Sequence, residues 1–324
     1  ITIGHVMCAS NELPLSDRDI DYFSEGYLQS IDELSEKRLI KKRQEGWMYS
    51  GTFRPETRVK LNNISDQTVT VFHFSRALET MDITQAYREV HEGAIFLHQS
   101  ESYQVNSLDL NSLVARVEEA DQGYYTKALK TIDISIKSRI NELNKGIKSG
   151  LGKVDVTEYY IEYQRMRNEK VISKHPLNLP PLNFPSIGFW FTIPSSIVSR
   201  IRSSGLDLAG GLHAIEHAMI AISPLHAMCD PRDLGGVSTE LHRDTMEPTI
   251  FVYDGYKGGI GLSEKLHELL PELLETILNL VKDCKCDEGC PSCIYSSKCG
   301  TNNEPLDKKT AIVLLNYLVE ELHG

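Results

Sequence analysis

The sequence predicts an α+β chain in three parts: a helical N-terminal region ending in a hairpin (1–60), a β-rich middle (61–170) and a C-terminal α/β region around a cysteine cluster (171–324). Three observations carry this. Apolar residues repeat at helical spacing before a basic hairpin, the repeat falls to two between 61 and 170, and five of the seven cysteines lie between Cys284 and Cys299. A chain of 324 residues with 41% hydrophobic and 24% charged residues is ordinary for a globular protein, which excludes a disordered chain or a collagen-like fibre. At this length about two or three domains are expected, each with its own core.

In the first part, Ser16 or Asp17 can cap a helix through 19–23 that stops at Gly26, and Leu28, Ile31 and Leu34 stripe the next helix. A strand over 38–41, a turn at Glu45-Gly46 and a strand over 47–49 follow. Two helices and a basic hairpin are what a winged helix would show. The start, Ile-Thr-Ile-Gly-His, lacks Met and a signal-like segment, and reads as a cut from a longer chain.

Residues 69–73, 94–98, 132–136 and 154–159 alternate in the manner of strands, with a turn over 99–102 leading into 103–105 and with Gly150 and Gly152 breaking the chain. Pro176, Pro180, Pro181 and Pro185 mark a linker or an extended surface segment, and a domain boundary. Beyond it come a helix over 213–222, a strand over 249–253, a Gly-rich turn at 255–261 and leucines at helical spacing from 266 to 280, interrupted at Pro271. A last amphipathic helix spans 307–322. The longest apolar stretch, near 208–225, carries His213, Glu216 and His217, so no membrane helix is expected.

The cysteines read Cys284-x-Cys286-x3-Cys290-Pro-Ser-Cys293-x5-Cys299. Thiolates hold zinc in a tetrahedron, and each closely spaced pair supplies two corners. Four corners for five cysteines favour Cys286, Cys290, Cys293 and Cys299, with Cys284 as alternative fourth ligand or bystander. One structural zinc is the expectation, against reduced structural cysteines or an iron-sulfur cluster on the same ligands. The odd, sparse count excludes a disulfide framework and points to a reducing, cytoplasmic compartment.

His213-Ala-Ile-Glu216-His217 matches the H-x-x-E-H pattern of inverted zinc peptidases. It supplies the alternative function, a metal-dependent hydrolase, with His226, Asp230 and Asp233 as nearby third-ligand candidates. The bland alternative is a packed helix. Residues 150–154 superficially resemble a P-loop, but Ile147 stands where the first Gly is needed and Val154 where the Ser/Thr is needed, so no ATP-hydrolysing activity is expected of the chain. The run Asp254-Gly-Tyr-Lys-Gly-Gly could bind an anion at a helix start or be a tight structural turn.

The net charge of −11 conceals an uneven distribution. Residues 35–60 carry eight Lys/Arg against three Glu, and 126–153 carry seven against two acids, whereas 264–324 carry six against eleven. Basic groups interleaved with aromatics suit phosphate contact plus base stacking. Lys41, Lys42, Arg43, Arg54 and Arg58 are therefore expected to contact DNA, with Trp47 and Tyr49 stacking or separating strands and Lys137 and Arg139 as further candidates. A solvated basic face is the alternative, as is a protein-interaction scaffold presenting the acidic C-terminal portion.

Taken together, several segments resemble the mitomycin repair factor A-like helicases, a superfamily 2 group related to RecQ-four-like DNA repair helicases. They are His5-x-x-Cys8-Ala-x-x-Glu12-Leu-Pro-Leu15, 91–103, Asp121-x-x-Tyr124-Tyr-Thr126, 152–157, 177–181, 211–217, Cys229-Asp-x-Arg-Asp-x-Gly-Gly236, 253–259 and the cysteine cluster through Lys308. The resemblance covers nearly the whole chain. It implies a winged helix and a zinc-binding domain appended to a motor that translocates 3′ to 5′ on single-stranded DNA in lesion repair, with the motor lobes absent here. It also implies that His213, Glu216 and His217 are framework or interdomain residues. The expected partners are single-stranded or forked DNA and the motor lobes, without a membrane. The expected state is a cytoplasmic monomer, nucleoid-associated in a prokaryote.

Overall fold

The computed structural model describes residues 2–23, 26–57, 59 and 67–323, so Arg58 lies outside the described residues. The chain divides into two compact units, Ile1–Gln67 and Thr68–Gly324.

In the first unit, helix α1 (Thr2–Glu12) is followed by a 3-10 turn at Asp17–Asp19, the short helix α2 (Ile20–Phe23), helix α3 (Gly26–Glu36) and the hairpin β1 (Ile40–Arg43) and β2 (Gly46–Tyr49). Ser16 is the N-cap of the 3-10 turn, without a side-chain cap bond of its own; its backbone N–H donates to the Asp19 carboxylate at 2.6 Å. Gly26 opens α3 rather than ending a helix. Tyr27, Ile31 and Leu34 recur one helical turn apart and bury one face of α3 against Val6, Leu15 and Ile40. Leu15 forms an isolated antiparallel bridge to Trp47 through two backbone hydrogen bonds of 2.9 and 2.7 Å, tying the preceding loop to the wing. A side chain at position 46 would collide with the Leu15 carbonyl, so the glycine there permits this approach.

The second unit contains two sheets. The smaller has the order β4-β3-β7-β6-β5, from β3 (Thr68–His73), β4 (Arg76–Asp82), β5 (Ile95–His98), β6 (Glu101–Asp109) and β7 (Val114–Glu119), with helix α4 (Ile83–Glu89) after β4. The larger is built on the hairpin β8 (Tyr125–Lys145) and β9 (Ile147–Arg167), each 21 residues long. On the other edge of β9 lie β10 (Lys170–Pro176) and β11 (Leu182–Thr192), then β13 (Thr249–Asp254) and β12 (Leu234–Thr239). The sheet thus takes strands from both sides of residue 170. The proline-rich stretch joins β10 and β11, which follow one another along the same edge of β9, and Leu177 still donates to the Ile161 carbonyl at 2.9 Å.

Gly150 and Gly152 do not break the chain; both sit inside β9, paired with β8 and β11. A Cβ at 150 would strike the Trp190 indole and one at 152 the Ser138 carbonyl, so each permits close approach within the sheet. The P-loop look-alike is therefore extended strand with no cradle for phosphate.

Helices α5 (Ser195–Ser203), α6 (Leu208–Ala227), α7 (Leu262–Glu268), α8 (Leu270–Asp283) and α9 (Lys308–His323) cover one face of the larger sheet. Ile187, Phe189 and Phe191 face them, while Trp190 joins Ile134, Val154, Val156, Phe251 and Tyr253 on the other side. The leucine pattern is divided where expected, with Pro271 in the first turn of α8. Among the described residues, no helix is long and apolar enough to cross a membrane.

Between α4 and β5, His91 is fully buried, with no partner for Nε2 among the described residues. Burial holds its imidazole below the ordinary value, outweighing the Glu92 carbonyl that favours protonation. A base depressed in the fold contributes stability that is complete above an unfolded value of about 6.5 and is lost as pH falls below it. His91→Asn should therefore flatten the decline in melting temperature between about pH 7 and pH 5 relative to the parent chain. Parallel declines in the two proteins would refute a buried neutral His91.

Candidate metal centre and nucleic-acid interface

Cys284 caps the C-terminus of α8, its N–H donating to the Leu280 carbonyl at 3.2 Å. The chain then doubles back, and Cys293, Ile294 and Tyr295 all donate backbone N–H groups to the Cys290 carbonyl. This tight turn, built on the Pro291-Ser292 pair, faces four sulfurs inward. Cys284 Sγ lies 3.6 Å from Cys286 Sγ and 3.5 Å from Cys290 Sγ, while Cys293 Sγ lies 3.5 Å from Cys286 Sγ and 3.8 Å from Cys290 Sγ. A tetrahedron with Zn–S near 2.3 Å has edges of about 3.8 Å, so the cluster fits a zinc ion without rearrangement.

The structure thus brings Cys284, and not the favoured Cys299, to the fourth corner. The reason is local: Cys284 and Cys286 leave α8 directly beside the Cys290–Cys293 turn, whereas the chain after Cys293 carries Cys299 towards α6. Four thiolates around a dication leave a net charge of −2, which Lys308 at the start of α9 offsets. Its ammonium donates to the Cys284 and Cys286 carbonyls, both at 2.6 Å, and approaches Cys286 Sγ at 3.3 Å.

Cys299 belongs to a second group with His213 and His217 on α6, whose ligand atoms all lie within 4.8 Å of one another. Sequence reasoning placed the two histidines on one helical face but missed this third member. Asp230 and Asp233 are instead engaged in a 3-10 turn at Pro231–Asp233, with Asp230 paired to Arg232 and Asp233 accepting from the Tyr256 hydroxyl. The signal available was the fifth cysteine left over by a four-coordinate site.

Burial disfavours charge on both Cys299 and His213, but their mutual hydrogen bond at 3.5 Å prevails. The thiol, also approached by His217 and Thr301, falls to about 4 and the imidazole is pushed up to about 9. Glu216, between the histidines in sequence, is buried, accepts from the Ser238 hydroxyl at 2.7 Å, and is raised above the usual carboxyl range by burial. The group opens into a cavity of 1020 Å³ between α6, β8, β12 and the segment 296–305.

On the wing, Lys41, Lys42 and Arg43 are exposed along β1. Lys42 pairs across the hairpin with Trp47 and sets its ammonium 5.5 Å from the indole centroid, a cation–π distance. Tyr49 packs edge-on against Phe53 at 5.9 Å, and its hydroxyl is buried, placing it in the base of the wing. Arg54 pairs with Glu56 at 2.7 Å. In the other unit, Lys137 faces Asp155 at 3.1 Å and Arg139 pairs with Glu142.

Two known families match the chain: the winged helix domain of the ATP-dependent helicase HRQ1 over residues 1–62, and the MrfA Zn-binding domain over residues 215–294. The four-cysteine cluster, inside the second match, is the site of one structural zinc. The ATP-dependent helicase YprA of Bacillus subtilis (strain 168) is 28% identical over 97% of this chain and 42% of its own length. HRQ1 of Saccharomyces cerevisiae (strain ATCC 204508 / S288c) is 25% identical over 98% of this chain and 31% of its own. A crystal structure of the DUF1998 helicase MrfA bound to DNA superposes with a TM-score of 0.57 at 25% identity, covering 97% of this chain and 42% of that one. The chain therefore spans less than half of the length of each of these relatives. With a winged helix at its start, a four-cysteine zinc domain near its end and likeness to these helicases along nearly its whole length, the chain is similar to the C-terminal region of the MrfA/HRQ1-like helicases.

Proposed function

We propose that this chain is the DNA-binding accessory module of an ATP-dependent 3′–5′ DNA repair helicase. It guides or clamps single-stranded or forked DNA while motor lobes in the rest of the parent protein consume ATP. The observation that carries this reading is the exposed row Lys41-Lys42-Arg43 on the wing, with Lys42 over Trp47. Three adjacent cations beside an aromatic face can follow a phosphate backbone and offer a surface for a base. Support comes from the relative whose crystal structure is described as bound to DNA. Lys137 and Arg139, each already facing a carboxylate, play a smaller part.

In this reading the winged helix at 1–60 and the β-rich part at 61–170 meet DNA, while the zinc of the C-terminal part at 171–324 has a structural role. Each phosphate neutralised on single-stranded DNA contributes about 0.7 to the slope of log affinity against log salt. Reversing Lys41, Lys42 and Arg43 to Glu should lower that slope by about 2 and weaken binding at low salt by roughly 100-fold. Fluorescence anisotropy with a labelled single-stranded oligonucleotide reads both quantities. Affinity that survives the triple reversal, or that does not change with salt, would refute the assignment.

A further inference from the structure

The four-cysteine cluster accounts for one metal and leaves His213, His217 and Cys299 without a role. Their geometry is that of ligands. Each histidine uses Nδ1 on a backbone carbonyl, His213 on Pro305 and His217 on Ile294, both at 2.8 Å. Such bonds fix the tautomer, since a carbonyl can only accept, and they leave Nε2 as the donor atom for a metal. The rings stand 4.3 Å apart between centroids on successive turns of α6. His213 Nε2 lies 3.5 Å from Cys299 Sγ. A tetrahedral zinc with Zn–N near 2.05 Å and Zn–S near 2.3 Å requires an N···S edge of about 3.5 Å.

We propose that His213, His217 and Cys299 bind a second zinc ion, distinct from the four-cysteine site, with one coordination position open to the 1020 Å³ cavity. Two imidazoles and one thiolate around a dication carry a net charge of +1, so the open position takes water or an anionic oxygen, a carboxylate or a phosphate. Three protein ligands plus an exchangeable fourth is the pattern of sites where zinc acts on a ligand, whereas four thiolates close a site. Glu216 lies on the same helix and lines the same cavity. Gly236 makes room for that carboxylate, because a Cβ there would lie 2.7 Å from it. The two centres are joined through the backbone: Ile294, whose carbonyl holds His217, directly follows the thiolate ligand Cys293. This assignment stands apart from the DNA-binding reading and neither depends on the other.

The test is metal content. Chain purified without added metal and dialysed against buffer should contain two zinc ions per molecule by mass spectrometry. His217→Ala and Cys299→Ser should each contain one, with circular dichroism and the melting transition retained. Replacement by cobalt should give two sets of visible d–d bands, one of which is lost in Cys299→Ser. Should the variants fail to fold, alkylation of Cys299 in the parent chain decides. Iodoacetamide should modify it at least tenfold more slowly with two equivalents of zinc than after one zinc has been removed by a weak chelator. One zinc per chain, two zincs retained in both folded variants, or alkylation indifferent to the second equivalent would each overturn the proposal. The last outcome would leave Cys299 and His213 as a metal-free thiolate–imidazolium pair.

Discussion

Replacing Cys290 with Ser, or stripping zinc with a strong chelator, is expected to lower the melting temperature of the second unit by about 10 °C or more. Structural zinc binds its thiolates with an apparent free energy of about 10–16 kcal/mol at neutral pH. Loss of a metal is among the few single changes that cost above about 4 kcal/mol. For a unit of this size each kcal/mol moves the transition by about 2–4 °C. The cost spreads because the cluster is tied to the core. Cys293 and Ile294 are buried among the residues under α6 and α8, while Cys284, Cys286 and Cys290 pack against that core. Lys308 links two cluster carbonyls to the first turn of α9, and that helix buries Ala311, Leu314, Leu315 and Leu318. Without metal, the turn from Cys284 to Cys293 loses the bonds that join its four sulfurs and order it. Hydrogen exchange should then lose protection over 284–310 first, while β9, β11 and β13 remain protected. Differential scanning fluorimetry with and without chelator reads the shift. Cys284→Ser should match Cys290→Ser in losing the zinc of the four-cysteine cluster and the protection of its turn, whereas Cys299→Ser, which leaves all four of those thiolates in place, should keep both. The reverse ranking would restore Cys299 to the cluster.

That contrast also marks how far the sequence could be read. Elements defined by neighbouring residues were legible: the Glu45-Gly46 turn between two short runs gave the hairpin, although its first strand lies at Ile40–Arg43 rather than 38–41, Pro271 gave the break between α7 and α8, and His213 and His217 fell on one face of α6. The presence of a thiolate zinc site was legible from the spacing of Cys290 and Cys293. The membership of the cluster was not, because Cys284 and Cys299 lie at similar distances along the chain and only the exit direction of the segment after Cys293 separates them. Strand β11 was missed for a different reason. Both its faces are covered, Phe189 and Phe191 by helices and Trp190 by the opposite cluster, so its buried run 186–192 has no alternation to read. Gly150 and Gly152 read as breakers because the indole and the carbonyl that need their small size come from distant chain.

Asp254→Ala is expected to cost about 3–5 kcal/mol, with a loss of roughly 10 °C in melting temperature. Asp254 ends β13 and is completely buried. Its Oδ2 accepts from the backbone N–H groups of Ile260, Gly261 and Leu262 at 2.5, 3.0 and 3.3 Å. Its Oδ1 accepts from the Ser263 N–H at 2.8 Å and the Ser263 hydroxyl at 2.6 Å. These are the orphan donors at the start of α7, so the Gly-rich turn does gather round an anion, and that anion is the chain's own carboxylate. Gly258, Gly259 and Gly261 adopt φ of 85°, 77° and 92°, which lets the chain curl over the side chain, and a Cβ at 259 would strike Ile187. Alanine leaves four backbone donors unsatisfied where water has little access, each at about 1–3 kcal/mol before relaxation. Asn keeps one accepting oxygen but turns an amide N–H₂ towards other donors, so Asp254→Asn should recover less than half of the loss. Urea denaturation of the three proteins gives the ranking, and Ser263→Ala, which removes only the hydroxyl, should cost about 1 kcal/mol. A parent chain stabilised by millimolar phosphate to the same degree as Asp254→Ala would mean that the helix start still receives an outside anion. A stable Asp254→Ala would show that the turn holds itself.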